Sequence, residues 1–170
     1  SLGTHETEFI DEIAVLLEKL FKISMKEYVK GTATQLEVKS KLLAILFAQV
    51  FKAGRTAVEK RVPSIIFTLP AHLKVQFLHT YLHGDGSFTI KEHQGRMPEI
   101  TLASSSASPE LTNDVITLCL FLGINANYQE ERVKAHEIAA TKQMLPESFA
   151  TRAVIRNPEA AQQLLFIDDI

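Results

Sequence analysis

The chain has 170 residues, of which 46% are hydrophobic and 22% charged, and its formal net charge is −2. This length and balance are typical of a globular protein with a core of its own. The weakly acidic total, with a pI of about 6.3, counts against a surface that is basic all round, although a basic face can lie within a neutral total. The single cysteine, Cys119, excludes an internal disulfide bond and does not support a zinc site of the Cys/His type.

Hydropathy predicts no membrane association. The chain has no basic start followed by an apolar stretch, and no window is apolar for long enough to span a bilayer. Cys119 lies within an apolar run, residues 115–120, where a thiol is typically buried as a small hydrophobic group. We therefore expect a soluble, intracellular (cytoplasmic) protein.

The first third of the chain predicts two helices around a hairpin. Apolar residues recur at helical spacing over 8–23, which indicates an amphipathic helix. Residues 24–39 contain two short β-prone runs on either side of Gly31, a pattern that favours a hairpin. A second helix is predicted over 39–51, with Gly54 ending it.

The rest of the chain predicts three more helices and four strands. A linker that runs from Lys60 through Pro63 to Pro70 covers 60–70. The predicted helices are 71–84, 109–122 and 158–166, and the predicted strands are 87–93, 99–105, 125–133 and 149–156. Residues 134–147 fit neither pattern.

The chain repeats itself at an offset of 102 residues. The hexapeptide that begins at Glu8 resembles the one that begins at Glu110, and Leu16 and Leu20 then meet Leu118 and Leu122. A helix and a hairpin precede the second copy, and their counterparts would lie before residue 1. We therefore expect an α+β fold made of two αββαββα units with antiparallel strands, the first truncated, so that the chain is a segment of a larger protein.

The segment FLHTYLHGDG, residues 77–86, is the richest in chemistry. Taken alone, Asp85-Gly86 is typical of a helix stop followed by a turn. Thr80 and Gly84, however, place small side chains four residues apart on one helix face, which allows close approach of another helix. An aspartate at the end of each of two such helices would bring both carboxylates to one point.

This segment resembles the motif of the LAGLIDADG homing endonucleases, the DNA-cutting domains found within inteins. Leu78 matches the first letter and Asp85-Gly86 the last two. The run KRVPSIIF, residues 60–67, resembles the family's linker, and Lys60 lies 25 residues before Asp85, as the family's catalytic lysine does. The run from Ile100 to Ile124 resembles the strand, helix and "LGI" that follow. His79, Thr80 and His83 depart from the usual motif letters.

The resemblance implies a site-specific double-stranded DNA endonuclease that uses Mg²⁺ or another divalent metal ion. Asp85 and Gly86 would lie at the metal, Asp85 would be catalytic, and Lys60 would stabilise charge on the phosphate. A counterpart of Lys60 at the offset of 102 falls on Gln162, so either that half of the site lacks its lysine or the alignment of the two repeats drifts toward the C-terminus. The implied divisions are a truncated first repeat over 1–59, a linker over 60–70 and a second repeat over 71–170, with the motif helix at 71–86.

Antiparallel strands in this family form a saddle over the DNA major groove, and alternate side chains contact DNA. The candidate DNA-binding residues are Lys26, Tyr28, Lys30, Lys91, His93, Arg96, Arg132 and Lys134. A complete site needs a second LAGLIDADG helix, from sequence preceding Ser1 or from a homodimer partner. Without it, the chain would be inactive.

Two other functions stay open. The chain could be a catalytically inactive LAGLIDADG-fold domain that binds DNA or a protein partner, which the acidic pI favours. It could also be an unrelated α+β protein in which Asp85-Gly86 is only a helix stop, and the helix 71–84 would then lie on a surface.

Overall fold

The computed structural model describes residues 2–3, 7–31, 33–92, 95, 98–137, 144–145 and 147–165. The chain forms two compact units, Ser1–Leu46 and Phe47–Ile170. Mixed helices and antiparallel sheets make up both units, which confirms the predicted α+β class. None of the helices in the described ranges is long and apolar enough to cross a membrane.

The first unit is a three-stranded antiparallel sheet with two helices. Its elements are β1 (Leu2–Gly3), α1 (Thr7–Phe21), β2 (Lys26–Lys30), β3 (Ala33–Glu37) and α2 (Lys41–Ile45). The strand order is β1-β3-β2. The hairpin between β2 and β3 closes over Gly31, whose φ of 62° favours a glycine. The Oγ of Ser40 accepts a hydrogen bond from the Leu43 amide, and this capping sets the start of α2.

The second predicted helix is shorter than the sequence pattern indicates. Regular α-helix ends at Ile45, and the chain continues as one π-helical turn, Leu46–Val50. The amide of Ala53 then donates to the carbonyl oxygen of Phe47, and Gly54 follows in a loop. The apolar residues of 46–51 therefore belong to a wider turn and not to a continuous helix.

The second unit contains a four-stranded antiparallel sheet and three helices. Its helices are α3 (Ala71–Asp85), α4 (Pro109–Phe121) and α5 (Pro158–Leu165), with 3-10 turns at Ala57–Glu59 and Ser64–Thr68. Its strands are β4 (Gly86–Lys91), β5 (Glu99–Ser106), β6 (Asn127–Val133), β7 (His136–Glu137), β8 (Met144–Leu145) and β9 (Ser148–Ile155). The main sheet has the order β4-β5-β9-β6, and β7 pairs with β8 within the stretch that the sequence left unassigned.

The core of the second unit lies between the sheet and the three helices. Each helix contributes a side chain with no exposed area: Leu78 from α3, Leu118 from α4 and Leu164 from α5. The sheet contributes Leu102 and Ile155, which pair directly across β5 and β9. Burying each of these side chains stabilises the fold by about 1.5–3 kcal/mol. This core fixes the end of α3 against the sheet, and the candidate site begins there.

The same element order occurs in both units. Between β1 and β3 of the first unit lie α1 and β2, and α2 follows, just as α4 and β6 lie between β5 and β9 and α5 follows. The strand orders β1-β3-β2 and β5-β9-β6 correspond, and every pairing is antiparallel. The topology therefore repeats as the sequence does. The assignment of 60–70 as a linker between two repeats stays a prediction.

Candidate active site around Asp85 and Lys60

Asp85 is presented at the junction between a helix and a strand. It is the last residue of α3, and Gly86 is both the helix C-cap and the first residue of β4. The side chain of Asp85 is exposed. Leu82 and Leu78, about one and two turns earlier, are buried in the core, so the helix that carries the carboxylate is anchored along its length.

Glycine is required at position 86 for a reason that the sequence does not show. Its φ is −89°, which any residue can adopt, so positive φ is not the constraint. The amide of Gly86 donates to the carbonyl oxygen of Leu82, and a Cβ atom at Gly86 would lie 2.1 Å from that oxygen. The chain leaves the helix too close to its last turn for any side chain to fit.

Asp85 and Lys60 line the same cavity, which has a volume of about 400 Å³. Two further cations, Arg55 and Arg61, line it as well. The remaining lining residues come from the 53–57 loop, from α3 and from α4: Ala53, Gly54, Thr56, Ala57, Phe77, Tyr81 and Leu111. One carboxylate and three cationic side chains around a small cavity suit an anionic group such as a phosphate.

Tyr81 forms part of the cavity wall one turn before Asp85. Its ring is half-buried and stacks on Phe77, with 6.4 Å between ring centroids. Burial raises the pKa of Tyr81 above its ordinary value, the hydrogen bond with Ser104 lowers it, and the negative charge of Asp85 raises it. The phenol is therefore neutral at physiological pH and can act as a hydrogen-bond donor within the cavity.

The loop that carries Lys60 is closed by main-chain contacts. The amide of Arg61 donates to the carbonyl oxygen of Ala53 across the loop, at 3.1 Å. Gly54 has a φ of 85°, and a Cβ atom there would lie 2.1 Å from the Glu59 carbonyl oxygen. The sequence analysis assigned Gly54 to a helix stop, and the structure adds that its missing side chain lets the loop close.

A buried carboxylate, Asp114 of α4, holds the next two residues of the same segment. The Nε and Nη2 of Arg61 donate to its two oxygens at 2.7 and 2.8 Å, and the Val62 amide donates at 3.1 Å. The hydrogen bond with Asp114 raises the pKa of Arg61 above its ordinary value, so the guanidinium stays charged. Asp114 is not among the site residues that the sequence predicts. The available signal was an acidic residue on the apolar stripe of its helix, between Leu111 and Leu118.

The motif positions that depart from the family pattern have local roles. The Nδ1 of His79 lies 2.8 Å from the carbonyl oxygen of Leu164, which ties α3 to α5. Thr80 and Gly84 are both exposed, and a Cβ atom at Gly84 would meet no atom within 4 Å. Their face of α3 is therefore open within the second unit.

Gln162 is not a structural counterpart of Lys60. It lies exposed in the middle of α5, whereas Lys60 lies in a loop that follows α2 and its π-helical turn. The helix α5 begins at residue 158 and α2 at residue 41, so the offset between equivalent elements has grown from 102 to 117. Position 162 therefore gives no information on a second lysine.

The candidate DNA-binding residues lie on different faces. Paired residues of neighbouring strands share a sheet face, and successive side chains of one strand alternate between the two faces. By this rule Lys91 lies on the sheet face opposite the core, whereas Arg132, paired with Phe149, lies on the core side of the edge strand β6. Arg132 also forms an ion pair with Glu147, and Lys134 follows β6 in an exposed position. His93 and Arg96 lie outside the described residues.

In the first unit, Lys26, Tyr28 and Lys30 share one face of β2, and all three are exposed. Two of them are engaged across the hairpin, because the Tyr28 hydroxyl donates to Glu37 and the Lys30 Nζ donates to Gln35. The first of these hydrogen bonds raises the pKa of Tyr28.

The sequence analysis missed one cation at the centre of the larger sheet. Arg152 of β9 pairs with Ser105 on one side and Gln129 on the other, and it shares the outer face with Lys91. Its guanidinium lies 3.6 Å from the Glu131 carboxylate, and its buried Nε has no hydrogen-bond partner. Because β5, β6 and β9 are distant in sequence, their register was not readable from the chain.

Comparison with known proteins identifies the family. The family model described as a LAGLIDADG-like domain matches residues 72–157, about half of the chain, including Asp85 and Gly86. The chain is 33% identical over 129 residues to the DNA polymerase II large subunit of Thermococcus kodakarensis, which covers 75% of this chain and 7% of that protein. It is 26% identical over 143 residues to the replication factor C small subunit of Methanocaldococcus jannaschii, covering 79% and 7%.

A third relative is an uncharacterized protein of Methanocaldococcus jannaschii, 25% identical over 128 residues, with 75% of this chain and 14% of that protein covered. The chain thus spans between 7% and 14% of the length of these relatives. The resemblance inferred from the motif is confirmed by the family match. The chain belongs to the LAGLIDADG-like domain family.

Proposed function

We propose that the chain is the DNA-cutting part of a homing endonuclease, which hydrolyses phosphodiester bonds of double-stranded DNA at a specific site with the help of a divalent metal ion. The observation that carries the proposal is that Asp85 and Lys60 line one cavity of about 400 Å³. The two side chains belong to segments 25 residues apart, and the family match does not include Lys60.

The cavity offers complementary charges to a phosphodiester. Lys60, Arg55 and Arg61 would attract the phosphate, and Lys60, as a compact charge, would stabilise the negative charge that develops on its oxygens. Asp85 is an acceptor when ionised and would orient a water molecule or hold a cation at the same phosphate. The half-buried Tyr81 could donate a hydrogen bond to a phosphate oxygen.

The donors at Asp85 fit half of a Mg²⁺ site. Mg²⁺ in proteins is held by one or two carboxylates, phosphate oxygens and water, and it needs no cluster of protein ligands. The described residues contain no group of three or more His, Cys, Asp or Glu side chains that could hold a metal ion. Asp85, with the main chain of Gly86, would hold the ion together with the DNA. Mg²⁺ is suited to stabilising charge on phosphate oxygens and to activating water for attack.

A second motif helix would complete the site. The open face of α3 at Thr80 and Gly84 has the small side chains that close packing of two helices requires. We propose that a second LAGLIDADG helix, from a longer form of the chain or from a second copy, packs there and brings its own aspartate to Asp85.

The relatives support an origin in a mobile element. A DNA polymerase II large subunit and a replication factor C small subunit are proteins of different names, yet each matches this chain over 7% of its length. A segment shared by such different proteins is explained if it is an insertion, and we propose that it is carried within an intein.

A binding domain without nuclease activity is the second candidate. The outer face of the main sheet has carboxylates beside its cations, with Glu99 opposite Lys91 and Glu131 beside Arg152. This pairing weakens the attraction for the DNA backbone, which depends on unneutralised positive charge. The proposed DNA contacts, at Lys26, Tyr28, Lys30, Lys91, Arg132, Lys134 and the further residue Arg152, serve either function.

Selection from a randomised DNA library separates the two functions. The 170-residue chain is used to enrich duplexes that it binds, and the enriched duplex is then incubated with Mg²⁺. Cleavage is expected once a second motif helix is present, either from a second copy of the chain or from a longer form, with the products absent for Asp85→Asn and with Glu130→Gln, an exposed carboxylate of β6, as the matched control. Binding without cleavage, even when a chain that includes a second motif helix is used, would establish the binding domain and refute the nuclease.

A further inference from the structure

The helix α4 and its N-cap residue anchor the segment that contains Lys60. Three residues in a row, Lys60, Arg61 and Val62, each have a hydrogen bond to a side chain of this helix or of its cap. We propose that Asp114 is a positioning residue for Lys60: it fixes residues 60–62 against α4 so that the lysine stays at the cavity that Asp85 lines. The inference rests on the proposed function for its catalytic consequence.

The contacts of Asp114 fix both the side chain and the main chain of the segment. Its two oxygens accept from the Nε and Nη2 of Arg61, and one of them also accepts from the Val62 amide. A bidentate pair with a guanidinium fixes orientation as well as distance. Asp114 as a whole residue is only 8% exposed, so these three donors replace most of the hydration of its carboxylate.

Ser108 holds the other side of the lysine. Its Oγ donates to the carbonyl oxygen of Lys60 at 2.8 Å and accepts from the Leu111 amide, so the cap of α4 is also the anchor of the loop. The side chain is fully buried. The Arg61 amide bound to Ala53 and the close approach of Gly54 to Glu59 and Lys60 add main-chain contacts on the other side of the loop.

Asp114 does not line the cavity, so its positioning role can be distinguished from the role of a residue that contacts the phosphate. Arg61 and Leu111 do line it, so changes in them would alter the cavity itself. Asp114 makes its contacts with the cavity wall through the 60–62 segment. A well-packed apolar pair would stabilise the fold about as well as a partly buried ion pair, so the distinguishing effect of Asp114 is the single orientation that it imposes.

The Asp114→Asn variant tests the positioning directly. Asparagine keeps the shape and one oxygen acceptor but loses the charge and the second acceptor. The backbone order parameter of the Lys60 amide, measured by ¹⁵N relaxation, is expected to fall from about 0.85 to below about 0.6, while amides of the core around Val115 stay unchanged. An unchanged order parameter at Lys60 would overturn the proposal whether or not the chain cuts DNA.

Single-turnover cleavage of the library-enriched duplex tests the consequence. With Asp114→Asn, we expect the rate to fall by about 100-fold because a misplaced catalytic group loses its alignment, while the affinity for the duplex changes less than about twofold. Arg61→Lys, which retains one charged donor, should recover part of the rate that Arg61→Gln loses. Glu130→Gln is the control.

The outcomes separate the two claims. If the natural sequence cleaves and Asp114→Asn cleaves at the same rate with a loosened Lys60 amide, Asp114 fixes Lys60 without a consequence for catalysis, which overturns the catalytic part of the proposal, and the nuclease stands. If a chain with both motif helices binds its duplex but never cleaves it, the nuclease is wrong, and the order parameter still decides whether Asp114 fixes Lys60. A loss of affinity equal to the loss of rate would assign Asp114 to DNA binding and overturn the proposal.

Discussion

The guanidinium of Arg61 and the carboxylate of Asp114, 53 residues apart, meet in a bidentate pair that joins the lysine-bearing loop to the helix α4. The Arg61 side chain is 48% exposed and that of Asp114 only 11%, so the pair lies at the edge of the core. The two partners are thus unequal. Water can hydrate the exposed guanidinium of Arg61 when Asp114 is removed, but it hydrates the buried carboxylate of Asp114 poorly when Arg61 is removed.

Removing Asp114 should therefore destabilise the fold. Asp114→Ala leaves the Val62 amide without its acceptor, and we expect the free energy of unfolding to fall by about 2 kcal/mol. Urea denaturation measures it, with Glu130→Gln as the control. The double variant with Arg61→Ala should lose about 1–2 kcal/mol less than the sum of the single losses, because the two side chains act on each other. Additive losses would show that the pair is not coupled.

Two glycines at the end of α3 should respond in opposite ways to alanine. Gly84→Ala has open space around the new Cβ atom and lies in a helix, so it should stabilise the chain by about 0.5–1 kcal/mol. Gly86→Ala places a Cβ atom 2.1 Å from the Leu82 carbonyl oxygen and should destabilise it by about 1–3 kcal/mol. Thermal unfolding of the two variants checks the contrast, and equal effects would contradict the geometry at the Asp85 junction.

Cys119 should be inert in the folded protein. The thiol is fully buried, and burial raises its pKa to about 12, so a thiol reagent at pH 8 is expected to react only after addition of denaturant. Because the folded pKa is raised, the contribution of the thiol to stability is complete below its unfolded pKa of about 9 and is lost as the pH rises toward 12.

That loss has a measurable slope. Between pH 9 and 11 the free energy of unfolding of the natural sequence should fall more steeply than that of Cys119→Ala, by up to about 1.4 kcal/mol per pH unit. Parallel curves for the two proteins would show that the thiol ionises as readily in the folded state as in the unfolded state.

Tyr81 should report on Asp85. Burial raises the pKa of Tyr81 and the negative charge of Asp85 raises it further, so Asp85→Asn is expected to shift the titration of the phenol to lower pH. The ¹³C resonance of the Tyr81 ring measures the titration, and the exposed Tyr128 serves as the internal control. A Tyr81 titration that is the same in both proteins would mean that the carboxylate does not point toward the cavity wall.

The sequence predicts the elements of this fold well because each has a local signal. The Ser and Pro at the start of α4, the apolar period of α1 and the Gly31 turn are all readable from neighbouring residues. The proposed catalytic pair can be predicted only through the family's spacing, since neither Asp85 nor Lys60 stands out from a helix stop and a surface lysine.

The residues that surround the pair depend on contacts between distant segments. Arg55, Tyr81 and Asp114 meet the site through the closure of the 53–61 loop onto α3 and α4, which no local pattern encodes. Of these three residues, only Asp114 has a signal in the local sequence, which is a charged residue on the apolar face of a helix. The constant offset of 102 does not lead to a counterpart of Lys60, because additional residues between β6 and β9 change the offset between the two units.

The central claim is that Asp85 and Lys60 act on one phosphodiester, and a cycle of variants measures this most directly. Single-turnover cleavage of the enriched duplex is compared for the natural sequence, Asp85→Asn, Lys60→Met and the double variant. Each single change should slow cleavage by at least about 100-fold, and the double variant should be little slower than the slower single variant, because groups that act as a unit are not additive. Single variants that cleave at the natural rate, or losses that multiply in the double variant, would contradict a shared site.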